Sequence, residues 1–274
     1  MTEPYQSPDG GLPPQSRILT GRAKFTPSYA VIPKMVHTDI VTTRFPFWDK
    51  SRAWVLARPL SGFAETFSQY IMEVQAGGGT DAPEPDPQAE AVLFMLEGGL
   101  SLELDGTHHT LVTGSYVYIS PGTDWKLHNR TDTKADFIWI RKSYEPIGDL
   151  PPPHSFVTHE DTITPSAMPD TGGKWSTTRF VNPDDVAHDM HVNIVNFEPG
   201  GVIPFAETHV MEHGLYVLEG KAVYRLNTDW MEVEAGDFMW LRAFCPQACY
   251  AGGPHRFRYL LYKDMHRHPS LRLK

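Results

Sequence analysis

Cysteine is almost missing from this chain of 274 residues: Cys245 and Cys249 are its only two. So few thiols cannot build a disulfide framework, and a pair this close in one strand or turn reads as free, buried groups in a reducing compartment. Basic charge is also scarce, with 24 Lys and Arg against 33 Asp and Glu and a formal net charge of −9. No basic cluster alternates with aromatic residues, which argues against nucleic acid or an anionic membrane surface as partners. No apolar run approaches the roughly 18 residues of a membrane span. The start, Met1-Thr2-Glu3-Pro4-Tyr5-Gln6-Ser7-Pro8, lacks a basic stretch followed by an apolar core. The expectation is a cytoplasmic protein, long enough for one large domain or two smaller ones.

What is present is an internal repeat. Residues 71–142 align with residues 193–264 at a constant offset of 122 and without a gap. Gly78-Gly79 falls on Gly200-Gly201, Val92 to Gly98 on Gly214 to Gly220, Gly114 to Ile119 on Gly236 to Leu241, and Phe137 to Arg141 on Tyr259 to Lys263. A repeat this long means two similar domains, because solenoid units are about 20–50 residues. Each half alternates short aromatic and β-branched runs with Gly, Asn or Asp turns, such as Leu100 to Leu104 before Asp105-Gly106 and Ala222 to Leu226 before Asn227. That pattern predicts an all-β fold of two tandem jelly-roll-type β-barrels. The expected order is an N-terminal arm over 1–45, a first barrel over 46–148, a Pro-rich linker over 149–171 around Pro151-Pro152-Pro153, and a second barrel over 172–274.

The chemistry gathers in the second half. Residues 201–220 read as two strands with a turn near Val210 to Glu212. Alternation puts Glu207 and His209 on one face, and the turn brings His213 opposite them. A carboxylate and two imidazoles in an apolar, glycine-bounded stretch predict a metal site. The spacing G-x5-E-x-H-x3-H-x6-G is similar to the first cupin motif with its donors permuted, and Gly236 to Leu241 resembles the start of the second. Gln247 stands where that second motif usually carries its last histidine, and its carboxamide oxygen is a competent fourth ligand. In the first half the matching positions are Pro85, Pro87, Ala91 and Trp125, none of which can bind a metal in that way. The first barrel is therefore expected to be structural or oligomerising. Four protein ligands leave two positions on a six-coordinate ion, and oxygen and imidazole donors without thiolate favour Mn, with Fe, Ni or Zn as competitors.

Tyr259 and Lys263, at i and i+4 of the last strand, share one face. If that face is inward, a phenol and a cation point into the site; otherwise Lys263 is a surface lysine. Period two also puts Cys245 and Cys249 on the face of Gln247, so a thiol could line the pocket. His108, His109, His266 and His268 read as solvent-exposed, with His128 and His154 as minor pocket candidates.

The second half resembles the (S)-ureidoglycine aminohydrolases, manganese bicupin enzymes of allantoin degradation. The likeness runs through Glu207 to Gly214, Tyr224-Arg225-Leu226, Asp229-Trp230, Ala235-Gly236-Asp237, Pro246-Gln247 and Tyr259 to Asp264. It covers most of residues 30–268, more loosely in the first half. The resemblance implies a bicupin with one Mn(2+) per chain held by Glu207, His209, His213 and Gln247. It places Tyr259, Lys263 and Tyr224 on the substrate beside Glu207 and Gln247, with Glu207 and Lys263 in catalytic roles. It also implies a homo-oligomer, dimer or higher, and a small ureido amino acid as substrate, (S)-ureidoglycine, converted with water to (S)-ureidoglycolate and ammonia. Two other readings remain open from the residues alone. One is an Fe(II)-dependent cupin dioxygenase; the other is a non-catalytic bicupin that binds a metabolite.

Overall fold

The computed structural model describes residues 22–34, 43–59, 62–265 and 267. Its strands in chain order are β1 (Lys24–Phe25), β2 (Tyr29–Ile32), β3 (Asp49–Ala57), β4 (Ser68–Thr80), β5 (Ala89–Glu97), β6 (Gly99–Leu104) and β7 (Thr107–Val112). There follow β8 (Ser115–Ile119), β9 (Trp125–His128), β10 (Ala135–Ser143), β11 (Phe156–His159), β12 (Ser166–Ala167) and β13 (Trp175–Arg179). The last are β14 (Met190–Phe197), β15 (His213–Glu219), β16 (Lys221–Leu226), β17 (Asp229–Glu234), β18 (Phe238–Leu241), β19 (Gln247–Tyr250) and β20 (Phe257–Asp264). The fold is all-β, with a 3-10 turn at Glu160–Thr162. Among the described residues no helix is long and apolar enough to cross a membrane.

The chain divides into two compact units. In the first, nine strands form one sheet in the order β11-β8-β5-β10-β4-β9-β6-β7, with β3 paired to β4. In the second, an eight-stranded sheet, β1-β2-β18-β15-β20-β14-β13-β12, accompanies a three-stranded one, β17-β16-β19. Each unit closes over its own apolar core. Val74, Leu93, Leu102, Leu127 and Phe137 lie in the first, and Phe197, Leu215, Tyr224, Met239 and Phe257 in the second. Each fully buried side chain of this size contributes about 1.5–3 kcal/mol.

The repeat is visible strand for strand: β6, β7 and β9 coincide under the offset with β16, β17 and β19. Gly98 and Gly220 are equivalent and do the same work. Both have φ of 74°, and a Cβ there would come within 2.5 Å of Lys134 O in one unit and 2.1 Å of Arg256 O in the other. Next to each, the register of the final strand shifts by a bulge. A buried carboxylate is also repeated. Glu90 accepts from Tyr118 Oη at 2.8 Å, and Glu212 accepts from Trp240 Nε1 at 2.9 Å.

The unit boundaries differ from the simple serial order expected. Lys24–Val31, within the supposed arm, belongs to the second unit, where β2 adds to the edge of β18. All four residues of Tyr-Ala-Val-Ile in β2 are buried, which is what draws the segment into a sheet. The supposed linker 149–171 is also structured. Its β11 pairs with β8, and Phe156 stacks on Tyr116 and Tyr118 with ring centroids 5.9 and 5.8 Å away. Its β12 pairs with β13. Prolines mark the turns around these short strands without preventing them.

Gly220→Ala is expected to destabilise the protein by about 3 kcal/mol or more, because strain at positive φ is added to a backbone clash. Gly106→Ala, at an open turn with nothing within 4 Å of the added Cβ, is expected to lose about 1 kcal/mol. Urea midpoints compare them, and equal losses would contradict the close-approach account.

Candidate functional site

The second unit departs from the first where the donors lie. β4 runs to Thr80, but β14 stops at Phe197 before Glu198-Pro199-Gly200-Gly201, and β15 begins only at His213. Residues 201–212 are therefore not the first of two strands, as their alternation suggests, but an irregular segment held by isolated bridges Val202↔Tyr250 and Glu207↔Gln247. At the second bridge each backbone N–H donates to the other residue's carbonyl at 2.9 Å, so Glu207 and Gln247 are opposite neighbours.

His213 is fixed from behind. Glu212 N–H donates to Asp264 Oδ1 at 3.0 Å, and the Glu212 carboxylate takes the Trp240 indole N–H. His213 Nδ1 donates to the Glu212 carbonyl at 2.9 Å, which leaves Nε2 with the ring's lone pair. Burial, then the neighbouring His209, pushes the His213 pKa down to about 3, so the ring is neutral and able to act as a ligand.

Glu207, His209, His213, Gln247, Tyr259 and Lys263 all line one cavity of about 170 Å³. His209 Nε2 lies 3.4 Å from Glu207 Oε1, and the His209 and His213 rings are 5.1 Å apart by centroids. Among the described residues, however, no three His, Cys, Asp or Glu side chains stand as a closed metal-binding group. The expected convergence of three donors on one point is thus met only as a shared cavity. One carboxylate, two imidazoles and one carboxamide oxygen remain a donor set suited to a divalent ion that takes oxygen and nitrogen ligands.

Tyr224, expected at the pocket, does not line it. It is fully buried behind Gln247, donating to Gln247 Oε1 at 3.0 Å, with Tyr259 Oη 3.2 Å away. The Tyr224–Tyr259 contact ties the three-stranded sheet to the larger one, and burial raises both phenols well above their ordinary range. Neither cysteine lines the cavity: both are free and buried, and burial raises the Cys249 thiol. His128 lies 3.0 Å from Asp81 in the first unit, His154 is exposed, His108 is exposed and His109 half-buried. His266 and His268 lie outside the described residues.

Among the described residues, the polar lining residues Thr177, Arg179 and Asn193 escaped the sequence reading, as did the apolar Met168, Trp175 and Val195. Inward positions fall in rows across the sheet, with Arg179, Asn193 and Leu261 in one row and His191, Lys263 and His213 in the next. The signal was available as polar residues on the inward parity of β13 and β14, but it precedes the donor motif. Lys263 is half-buried and has no ion-pair partner among the described residues. Burial, reinforced by Arg179, lowers its pKa. The first unit has Arg141 where the second has Lys263, beside an apolar pocket of about 140 Å³ that includes Pro85 and Trp139.

A cupin-domain profile matches residues 70–141 and 193–261, just over half of the chain. The chain belongs to the cupin family. An (S)-ureidoglycine aminohydrolase of Arabidopsis thaliana is 29% identical over 251 residues, covering 90% of this cupin and 79% of the plant protein. The (S)-ureidoglycine aminohydrolase of Escherichia coli K12 is 27% identical over 231 residues, covering 83% of this cupin and 86% of the bacterial protein. A crystal structure from Pseudomonas aeruginosa, of a protein provisionally described as glyoxylate-induced, is 66% identical and superposes with a TM-score of 0.90 over 100% of both chains.

Burial, and next the charge of Lys263, pushes the pKa of His191 down to about 3 from an ordinary 6.5. The folded protein therefore refuses a proton that the unfolded chain accepts. The stability this gives is complete above pH 6.5 and is lost as pH falls toward 3. In metal-free protein, His191→Asn is expected to flatten the fall in unfolding free energy across that window, read from urea titrations at successive pH values; an unchanged slope would contradict it.

Proposed function

We propose that this cupin releases ammonia from (S)-ureidoglycine by hydrolysis, giving (S)-ureidoglycolate, on a manganese centre in its second barrel. The observation that carries the reading is one cavity lined by Glu207, His209, His213 and Gln247 together with Tyr259 and Lys263. Support comes from the aminohydrolase relatives, which match this chain over more than four-fifths of its length.

Glu207, His209, His213 and Gln247 would hold the ion. Bound there, it would supply a template and a Lewis acid for the substrate's carboxylate and amine. Neutral His213 presents a lone pair without first losing a proton. Tyr224 donates to Gln247 Oε1, which directs that carboxamide's remaining lone pair. Tyr259 keeps its proton at neutral pH, so it acts as a hydrogen-bond donor that orients the substrate rather than as a base.

Lys263 is the proton carrier in this reading. Its lowered pKa brings it closer to neutrality, where a general acid and base works best. As the carbon–nitrogen bond breaks, Nζ gives a proton to the departing nitrogen. As the water oxygen bonds to the same carbon, its proton returns to Nζ. The sum is water in and ammonia out, with Lys263 restored.

The test is ammonia release from freshly generated (S)-ureidoglycine by protein stripped of metal and reloaded with Mn, measured against the spontaneous rate. Manganese-dependent acceleration with ureidoglycolate as product is expected. Oxygen consumption instead would favour a cupin dioxygenase, and no acceleration by metal-loaded protein would reject the hydrolase. Glu207→Ala should lose both bound manganese and turnover. Lys263→Met should slow turnover by roughly 10²–10⁴-fold while metal content stays at the wild-type level; a metal-free Lys263→Met protein would contradict its role.

A further inference from the structure

We propose that Asn193 is the residue that recognises the ureido group, and that Arg179 holds the substrate's carboxylate end. This rests on the aminohydrolase reading and adds a specificity-determining residue to it.

Asn193 sits in the middle of β14 on the inward face, between Arg179 of β13 and Leu261 of β20. It is only 4% exposed and lines the cavity. Its carboxamide oxygen is buried without a hydrogen-bond partner, and among the described residues its Nδ2 donates to nothing. A buried carboxamide oxygen left unpaired inside a β-sheet barrel is rare, since buried polar groups are nearly always satisfied. A ligand that satisfies both ends must offer an N–H and a C=O side by side. A ureido group has that pattern: its N–H donates to Asn193 Oδ1 while its carbonyl accepts from Asn193 Nδ2. A plain carboxylate has no donor for Asn193 Oδ1 and cannot make both bonds.

The charges give the other end of the ligand. Arg179 and Lys263 line the same cavity, and neither has a carboxylate partner among the described residues. Among the described residues, Glu207 is the only acidic side chain lining it. Arg179, exposed at the cavity mouth, is the cross-strand partner of Asn193, and Lys263 lies one row away, opposite His191 and His213. Cross-strand neighbours stand about 5 Å apart. Arg179 beside that carboxamide therefore matches a ligand whose carboxylate and ureido group are joined through one carbon.

The test uses two stable carboxylates of the same shape, N-carbamoylglycine and 4-methylpentanoate, the second with its ureido group replaced by apolar atoms. Their binding to manganese-loaded protein is measured by calorimetry, with metal content checked for every variant. Wild type is expected to prefer N-carbamoylglycine. Asn193→Leu and Asn193→Thr should weaken N-carbamoylglycine by at least tenfold and leave 4-methylpentanoate within twofold. Arg179→Met should weaken both ligands by a similar factor. The assignment is overturned if wild type does not bind N-carbamoylglycine, if both Asn193 variants keep its affinity, or if they lose the two ligands equally. Turnover of ureidoglycine is scored separately. Selective loss in the Asn193 variants of a protein that does not turn ureidoglycine over would uphold the subsite and reject the reaction.

Discussion

A slip of β20 by one residue between β14 and β15 would turn Tyr259, Leu261 and Lys263 to the outside, because side chains alternate with a period of two. The cavity depends on that register more than on any single contact. β20 pairs along its whole length with β14, from Met190↔Asp264 to Phe197↔Phe257, and β15 pairs with its other edge from His213↔Lys263 onward. Phe257 and Tyr259 are anchored in the core, so the apolar end of the strand sets where the polar end must stand. The bulge beside Gly220 absorbs the one residue by which the pairing with β15 would otherwise drift.

The two barrels separate what the scaffold requires from what the chemistry requires. The tight glycine, the bulge and the buried carboxylate with its aromatic donor occur in both units. Donors occur in one. In the first unit β4 continues to Thr80 and pairs with β9, whereas in the second the equivalent pairing shrinks to the single bridge Val202↔Tyr250. Regular pairing gives way to an irregular segment there, and that segment carries Glu207, His209 and Met211 to the cavity. Polar groups on an inward face cost stability unless something satisfies them; Arg141 of the first unit is paired with Glu84, whereas Lys263 of the second faces the cavity.

Much of this was legible in the sequence because the governing signals are local and periodic. The offset of 122 identified equivalent strands, and parity alone placed Tyr259 and Lys263 on one face. Less local features were not legible. Nothing near Tyr29 to Ile32 says which barrel its strand will join, since that choice is made by a distant edge, β18. Prolines at 151–153 read as a linker although Phe156 has two tyrosines to stack on. Tyr224 was expected at the pocket, but a motif cannot distinguish a residue that touches the cavity from one that holds Gln247 from behind. Arg179 and Asn193 were not legible because they lie outside the donor spacing and reach the site only through the pairing of β13, β14 and β20.

The placement of β1 and β2 has a consequence for how the protein is made. Tyr29 hydrogen-bonds to Asp229 across 200 residues of sequence, and Lys24 reaches the same carboxylate at 2.6 Å. At a synthesis rate of about 5–20 residues per second, the first of these partners leaves the ribosome roughly 10–40 s before the second. During that interval Tyr-Ala-Val-Ile, wholly buried in the finished molecule, has no edge to join. Until it arrives, β18 in turn presents an unpaired edge that could recruit another chain. The Tyr29–Ile32 strand thus works as a late closing seam, because the edge it covers is made about 200 residues after it.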